Sequence, residues 1–358
     1  MKILFLPNWR VKKCTEIPKD KQPPDYYVKG QDYWFFRYFK EKPEVDVLDI
    51  SSAGWIENFE KNKIRFYVIQ ALRAIPKLNK YDLVVSHGMQ SGVVVSLWRR
   101  LFKTKAKHIV FDIGAFNSAA ESGAALKLMQ FASRSIDGFI YHTSSQIEYY
   151  KKCFPWIVDR SRFVRFGTDS EFFEIEDAGD TADNKNVSEK PYCICVGYSK
   201  RDWDTLIKAF ELAGQDNLTL KLVGHVDDKY KSVSNVEQIG FVSINELKKL
   251  IAGSKFGILP LKSYNYSYGQ MTLLQQMAMH KCVITSKVPS LADYFEDGVT
   301  AYSYEPENAE ELAEVIKRAN NDNAAREAMA ARAEQYVKFE NNERVMAMKI
   351  EEVIKNIR

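Results

Sequence analysis

Along the chain, apolar runs of strand length alternate with longer segments whose apolar residues recur every three or four positions. That alternation is the mark of parallel sheets covered by helices. In the first half, KILFLP (2–7), VDVLDI (45–50), YDLVVSH (81–87), HIVFDIG (108–114), GFIYHTS (138–144) and RFVRFG (162–167) are expected as strands. Amphipathic segments near 31–41, 56–78, 90–102, 119–134 and 145–153 are expected as helices. The stretch EIEDAGDTADNKNVSEK (174–190) then breaks the rhythm: it is acidic, poor in apolar residues and full of turn formers, and it reads as a linker. The alternation restarts with YCICVG (192–197), a helix at 202–213, LTLKLVG (218–224), VEQIGFV (236–242), a helix from Asn245, FGILPL (256–261) and CVITS (282–286). From about 307 the patterns are mostly helical, as in ENAEELAEVIKRANN.

A chain of 358 residues exceeds what one hydrophobic core usually organises. The expected organisation is therefore α/β, with a Rossmann-like domain over 1–173, the linker at 174–190, a second Rossmann-like domain over 191–340, and a terminal helix at 341–358 that packs back on the first domain. In such sheets ligands bind beyond the C-terminal ends of the strands.

Composition narrows the class. A hydrophobic content of 46% with 27% charge excludes a disordered chain. No window approaches 18 consecutive apolar residues, and Pro7 and Asn8 interrupt MKILFLPNW before a signal-peptide core develops, so a cytoplasmic protein is expected. The five cysteines have no metal-ligand spacing, and Cys193 and Cys195, two apart in a strand, share one face and are expected in the core. Charge is uneven: residues 1–170 hold 28 Lys+Arg against 17 Asp+Glu, and the remainder 23 against 30. The basic half suits an anionic partner, either a membrane surface or a phosphate-bearing substrate, although a basic surface with no partner stays open. Nucleic acid is not expected, because no binding motif accompanies the charge.

Candidate chemistry concentrates in two stretches. In SYGQMTLLQQMAMHKCVITS, a polar loop ends at Gly269 where a helix must start, and a helix start presents unpaired N–H groups and partial positive charge to an anion. Gly269 permits close approach, and Thr272 offers a hydroxyl; a plain cap by Ser267 on a core helix is the other reading. In VGYSKRDW, a strand ends at Gly197, and Lys200 and Arg201 sit on the following loop at the same end of the sheet. Cations there would complement a pyrophosphate.

Four blocks, in order, carry a family resemblance: RFGTDSEFF (165–173), VGYSKRDWDTLIKAFELA (196–213), VEQIGFVSINELKKLIAGSKFGILPL (236–261) and SYGQMTLLQQMAMHKCVITSKVPSLADYFEDGVTAYSY (267–304). They resemble the donor-binding domain of family 4 glycosyltransferases, retaining enzymes of GT-B fold. The resemblance implies two Rossmann-like domains facing across a cleft, a nucleoside-diphosphate sugar as co-substrate, no other cofactor and no metal. It places Arg201 on the donor pyrophosphate, with Lys200 beside it, and the helix start Gly269, Gln270, Met271 and Thr272 on the same group. Tyr198 replaces the family's other basic residue, just after the strand glycine Gly197. Phe241 and Val242 fall where backbone meets the nucleobase. The family's two glutamates, which touch the donor sugar and the ribose, fall on Ser267 and Gln275. Gln275 keeps hydrogen-bonding capacity for a ribose diol, whereas Ser267 is too short to reach the sugar directly. Gln276, one position on, points about 100° away and is expected to pack or face solvent.

In the first half the family's glycine-rich loop is replaced by PNWRVKKCTEIPKDKQPPDYYVKG, long, basic and Pro-containing, with Gly30 at its end. It is expected either as an acceptor-side element or as a mobile surface loop. Where many members carry an active-site histidine this chain has FDIGAFN, which makes Asp112 a candidate catalytic contact, or a strand-end cap, and Gly114 an acceptor-side one. His87, ending VVSH, is a further acceptor-side candidate, and His108 and His142 are expected to be structural. The segments KNKIRFYVIQALRAIPK (61–77) and LWRRLFKTKAKH (97–108) mix apolar residues with cations, as a membrane-interface segment does and as a helix packed on a sheet also does. The function expected from all this is transfer of a sugar, UDP-linked in the donor, to a glycan or lipid-linked acceptor of a bacterial surface polysaccharide, by an enzyme of the cytoplasm or the inner membrane face. A non-catalytic GT-B subunit that binds a glycan or protein, and a nucleotide-sugar epimerase of the same fold, are the alternatives.

Overall fold

The inner strands of the two main sheets are largely apolar, and the reason is visible in a computed structural model, which describes residues 1–64, 66–114, 121–175 and 190–357. Both sheets are six-stranded, wholly parallel and covered on two faces, so residues of both parities must be buried. Alpha-carbon contacts divide the chain into two compact units: Met1–Arg165 with Asn265–Ser267 and Arg344–Arg358, and Phe166–Tyr264 with Tyr268–Glu343. The first crossing thus comes ahead of the expected boundary at 173, and the linker at 174–190 lies almost entirely outside the described residues.

In the first unit the sheet runs Glu44–Val47, Lys2–Leu6, Leu83–His87, Lys107–Asp112, Gly138–Tyr141, Ser161–Phe163. One face packs Leu4, Leu6 and Val84 against the helices Val68–Ala74 and Met89–Leu101. The other carries Phe5 and Phe111 against Phe35, at ring separations of 6.2 and 6.0 Å, and Phe35 in turn stacks on Phe36. The terminal helix Glu343–Ile357 belongs to this unit from Arg344 on, where Ile357 fills the space that a side chain at Gly138 would need. Glu351 ties it down by accepting the N–H groups of Lys40 and Glu41, at 3.1 and 3.0 Å.

Several expected elements differ in form. The helix expected at 31–41 is a short 3-10 turn, Trp34–Tyr38, because four consecutive aromatic-rich positions enter the core and an α-helical face buries only part of such a run. The segment 56–78 is broken into Gly54–Phe59, a π-type turn Glu60–Ile64, Val68–Ala74 and the 3-10 turn Ile75–Lys80, with Pro76 at the last start. Within the loop after the first strand, Lys12–Cys14 and Tyr26–Val28 pair as a small parallel ribbon. A strand at Tyr302–Tyr304 completes the second sheet and escapes periodicity, being only three residues long.

The second sheet runs Val236–Ile239, Thr219–Val223, Tyr192–Val196, Gly257–Leu259, Val283–Ser286, Tyr302–Tyr304. This is the doubly wound order, and the direction of winding reverses between Tyr192–Val196 and Gly257–Leu259. Cys193 and Cys195 share one face, packing with Leu206 and Phe210 of the helix Trp203–Ala213 and Leu312 and Ile316 of the helix Ala309–Asn321. Ile194 and Val196 face the other way, onto Leu274 and Met277 of the helix Gln270–Ala278. Each such side chain contributes about 1.5–3 kcal/mol by leaving water. Helix starts are marked by Asp202, Ser243, Asn308 and Asp322, whose side chains accept N–H groups of the first turn.

Candidate functional site

At the reversal point of the second sheet two loops leave adjacent strand ends, and the chain zips them together. Asp202 N–H donates to Pro260 O at 2.9 Å, Lys262 N–H to Lys200 O at 3.2 Å, and Arg201 forms a bridge with Leu261. This rigid pair holds Arg201, which is only 9% exposed. Its Nε and Nη2 donate to Val196 O at 3.0 and 2.7 Å, Nη1 to Ser199 O at 2.8 Å, and Nη2 also to Thr272 Oγ1 at 3.1 Å. Gly197, at φ +93°, is required here, because a Cβ would lie 2.6 Å from Arg201 Nη2.

No carboxylate comes within ion-pairing distance of Arg201 among the described residues. Burial pushes its guanidinium down from its usual value, which measures the cost of holding this charge away from water. Buried cations are ordinarily paired with an anion. Thr272, which accepts from Arg201, lies in the first turn of the helix Gln270–Ala278. That helix starts at Gly269, φ +85°, with no side-chain cap, and Met271 is exposed beside it. A lone guanidinium and an uncapped helix start therefore point positive potential at one place.

The other donor-side candidates gather around this centre in different ways. Lys200, held at φ +62°, is exposed and places Nζ 4.5 Å over the Tyr264 ring. Gln275 is buried, and Gln276 is completely so: it donates to Thr272 O at 3.2 Å and occupies the space left by Gly257. Gln270 is buried and donates to Ser290 O at 2.8 Å, a bond that anchors the helix start to the loop after the next strand. Val242 is half-buried against the core, whereas Phe241 is 80% exposed. Phe241 meets Tyr198, itself 60% exposed, edge to face at 5.4 Å. Tyr198 was legible in sequence only as a missing cation; its signal as an aromatic wall is its place just past the strand glycine.

In the first unit the candidates do not converge. Asp112 is completely buried and accepts Gly114 N–H at 2.9 Å, Gln146 Nε2 at 3.1 Å and the Tyr150 hydroxyl. It anchors the end of its strand, one of the two roles expected of it. Burial, and then the neighbouring Asp112, push the Tyr150 phenol well up. Gly114, at φ +110°, is covered by the Tyr266 ring, 3.0 Å from where a Cβ would stand. Gly30, at φ +84°, has open space around it. Ser267 groups with this unit too, accepting from Thr143 Oγ1 at 3.4 Å.

His87 ends its strand inside a box of Phe5, Trp9, Trp34 and Phe111, with Trp9 at 4.8 Å. Among the described residues neither ring nitrogen has a hydrogen-bond partner. Burial, with His142 nearby, pushes its pKa down to about 3, so the ring is neutral. His108 and His142 are structural: Ser86 and Ser96 hold the first at 2.9 and 3.3 Å, and Val164 O the second at 2.7 Å. Among the described residues no cluster of three or more His, Cys, Asp or Glu side chains is placed to hold a metal.

Residues 190–322 match the sequence model of the glycosyl transferases group 1. No curated protein sequence matches the chain. Among solved structures, sucrose-phosphate synthase from Thermosynechococcus elongatus aligns with a TM-score of 0.73 at 15% identity, over 100% of this chain and 99% of that one. HepE from Anabaena, solved with UDP-glucose, aligns at 0.70 and 16% identity over 99% and 100%. WaaG, a glycosyltransferase involved in lipopolysaccharide biosynthesis, aligns at 0.63 and 14% identity over 98% and 99%. At these identities the likeness shows the fold, which is GT-B. Residues 190–322 thus match the family model of the glycosyl transferases group 1, and the chain along its length has the GT-B fold.

Proposed function

We propose that the protein transfers a sugar from a nucleoside-diphosphate sugar, UDP-linked, to a glycan or glycolipid acceptor of a bacterial surface polysaccharide, with retention of configuration. The observation that carries this reading is Arg201, a buried guanidinium with no carboxylate beside an uncapped helix start. A diphosphate placed there supplies the missing anion. Thr272 Oγ1 accepts from Arg201 and keeps its own proton to donate, and Lys200 adds a second charge at the exposed rim.

The exposed Phe241 and Tyr198 rings offer apolar faces for the nucleobase, and Gln275 offers the ribose contact. The donor's leaving diphosphate gathers charge as the glycosidic bond breaks, so preorganised donors aimed at it stabilise the transition state more than the ground state. In a same-face transfer the leaving phosphate takes the acceptor proton, and no protein nucleophile is required. The chain's task is then to hold donor and acceptor in register, with Gly30 and His87 on the acceptor side and neither a metal nor a further cofactor involved. The choice of UDP is supported by HepE, whose structures contain UDP and UDP-glucose, and the surface-glycan role by WaaG.

A second reading, a GT-B subunit without turnover, is favoured by one observation: Ser267, which the resemblance puts where the family has a glutamate, is engaged by Thr143. Calorimetric titration with UDP, GDP and ADP, followed by nucleotide release from a panel of UDP-sugars, separates the two. UDP binding with slow donor hydrolysis is expected. Failure of every nucleotide to bind sinks the transferase reading, and binding with no hydrolysis of any donor moves the protein to the subunit reading.

A further inference from the structure

The long loop after the first strand encloses a cavity that the donor chemistry does not use. The loop is fastened at several points: Lys12–Cys14 pairs with Tyr26–Val28, and Val11 N–H donates to Asp49 Oδ2 at 2.9 Å. Trp9 Nε1 and the Tyr33 hydroxyl both donate to Pro24 O, at 3.3 and 2.7 Å. Val11 and Val28 are buried, so the ribbon has its footing in the core. Between the ribbon, the segment 15–20 and the edge strand Glu44–Val47 lies a cavity of about 920 Å³. Small-ligand sites run from about 300 to 1,000 Å³. The loop leaves the C-terminal end of its strand, the end at which such sheets bind ligands.

The lining is rich in cations. Lys12, Lys13, Lys19 and Lys29 all border the cavity, and Lys12, Lys13 and Lys29 are exposed and form no ion pair among the described residues. Of the three acids in the lining, Asp46 is engaged by the Tyr81 hydroxyl at 2.7 Å and stands 4.0 Å from Lys2. Glu16 and Asp20 are left against four cations. Lysine is a compact charge on a flexible stem, so several around one cavity suit a ligand with several anions at varied spacing, whereas arginine grips one planar group. Tyr27, half-buried in the wall, makes no side-chain hydrogen bond among the described residues. Its apolar ring and polar tip match the C–H face and hydroxyl rim of a sugar. Ile17 is the one large exposed hydrophobic side chain in the described lining, which is too little apolar surface for a lipid chain or an apolar peptide.

We infer that this pocket holds the acceptor, and that the acceptor is a glycan carrying carboxylate or phosphate groups, with its anions on Lys12, Lys13 and Lys29 and a sugar ring against Tyr27. Gly30, which follows Lys29 with open space around it, lets such a chain approach the backbone. The acceptor role rests on the transferase reading; the binding of a charged glycan does not.

Calorimetric titration of the full chain, without nucleotide, tests it with oligogalacturonate, dextran phosphate, neutral dextran and polyglutamate. Binding of the galacturonate, the dextran phosphate or both, weakened by added salt, is expected, with none of neutral dextran, and the one that binds names the anion. Lys12→Gln with Lys29→Gln should weaken that binding about tenfold, since exposed charge contacts are worth a few-fold each. Both side chains are exposed, so an unchanged melting temperature confirms that the variant folds. Lys208→Gln with Lys249→Gln, exposed on the second unit, should leave the binding as it is. Failure of both charged glycans to bind, equal binding of neutral dextran or polyglutamate, or equal loss in the two lysine pairs overturns the inference. If UDP binds and neither charged glycan does, this inference falls and the transferase reading stands. If a charged glycan binds and no nucleotide does, the transferase reading falls and the pocket stands as a glycan site.

Discussion

Each unit has a parallel six-stranded sheet with one point where the winding reverses, and the two points carry opposite chemistry. In the second unit it holds Arg201, buried, charged and lacking a carboxylate. In the first, where Lys2–Leu6 meets Leu83–His87, it holds His87, buried, neutral and, among the described residues, lacking any partner. The topology makes a pocket in both cases, and the side chains decide what may fill it. Carbonyls from its own loop solvate Arg201, so its charge survives burial; four aromatic neighbours give His87 nothing to bond, so its charge does not.

Removing the cation should break the contrast most severely. Arg201→Ala is expected to weaken UDP about 100-fold or more, read by calorimetry, since a buried, hydrogen-bonded charge typically costs 2–5 kcal/mol to lose. Arg201→Lys should recover little, because a compact ammonium lacks the planar spread by which three guanidinium nitrogens reach Val196 O, Ser199 O and Thr272 Oγ1.

Acid sharpens the other side. Below pH 6.5 the unfolded chain takes a proton on His87 that the folded chain refuses until about pH 3, so the unfolded state binds more protons and stability falls as pH drops through that window. The slope from this one ring is at most about 1.4 kcal/mol per pH unit. His87→Leu should flatten it, visible as melting temperatures that diverge from the parent's between pH 6.5 and 4. Identical pH profiles would show that the ring is not held neutral.

Asp112→Asn tests whether the first unit's carboxylate is an anchor. Its three donors lose a charged acceptor, and a loss of about 1–3 kcal/mol in denaturant stability is expected, with UDP affinity unchanged. The smallest effect belongs to Phe241→Ala. At 80% exposure it should leave stability within about 0.5 kcal/mol, while UDP weakens by about tenfold, consistent with 1–3 kcal/mol per stacked base. An unchanged affinity would remove the aromatic wall from the donor site.

Much of this contrast was legible beforehand, though unevenly. Arg201, Gly197 and the Gly269 helix start were readable because loop cations and glycines at strand ends announce themselves locally. The two glutamines also separated as their spacing implied, with Gln276 turned into Gly257. Asp112 was open between a catalytic contact and a strand-end cap, because the partners that anchor it, Gln146 and Tyr150, lie more than thirty residues away. The partner of Ser267 was equally illegible, since Thr143 lies far away along the chain.

What the amino-acid sequence determined by itself was the architecture. Parallel strands buried on both faces must be continuously apolar, and helices laid on them must repeat every three or four residues, so eleven of the twelve strands in the two main sheets were marked in the chain. What only the tertiary structure decided was which polar groups are satisfied. Hydrogen-bond partners come from residues remote in sequence, and burial is a property of the packed whole. Only there, among the described residues, does Arg201 become a cation without a carboxylate and His87 an imidazole without a partner.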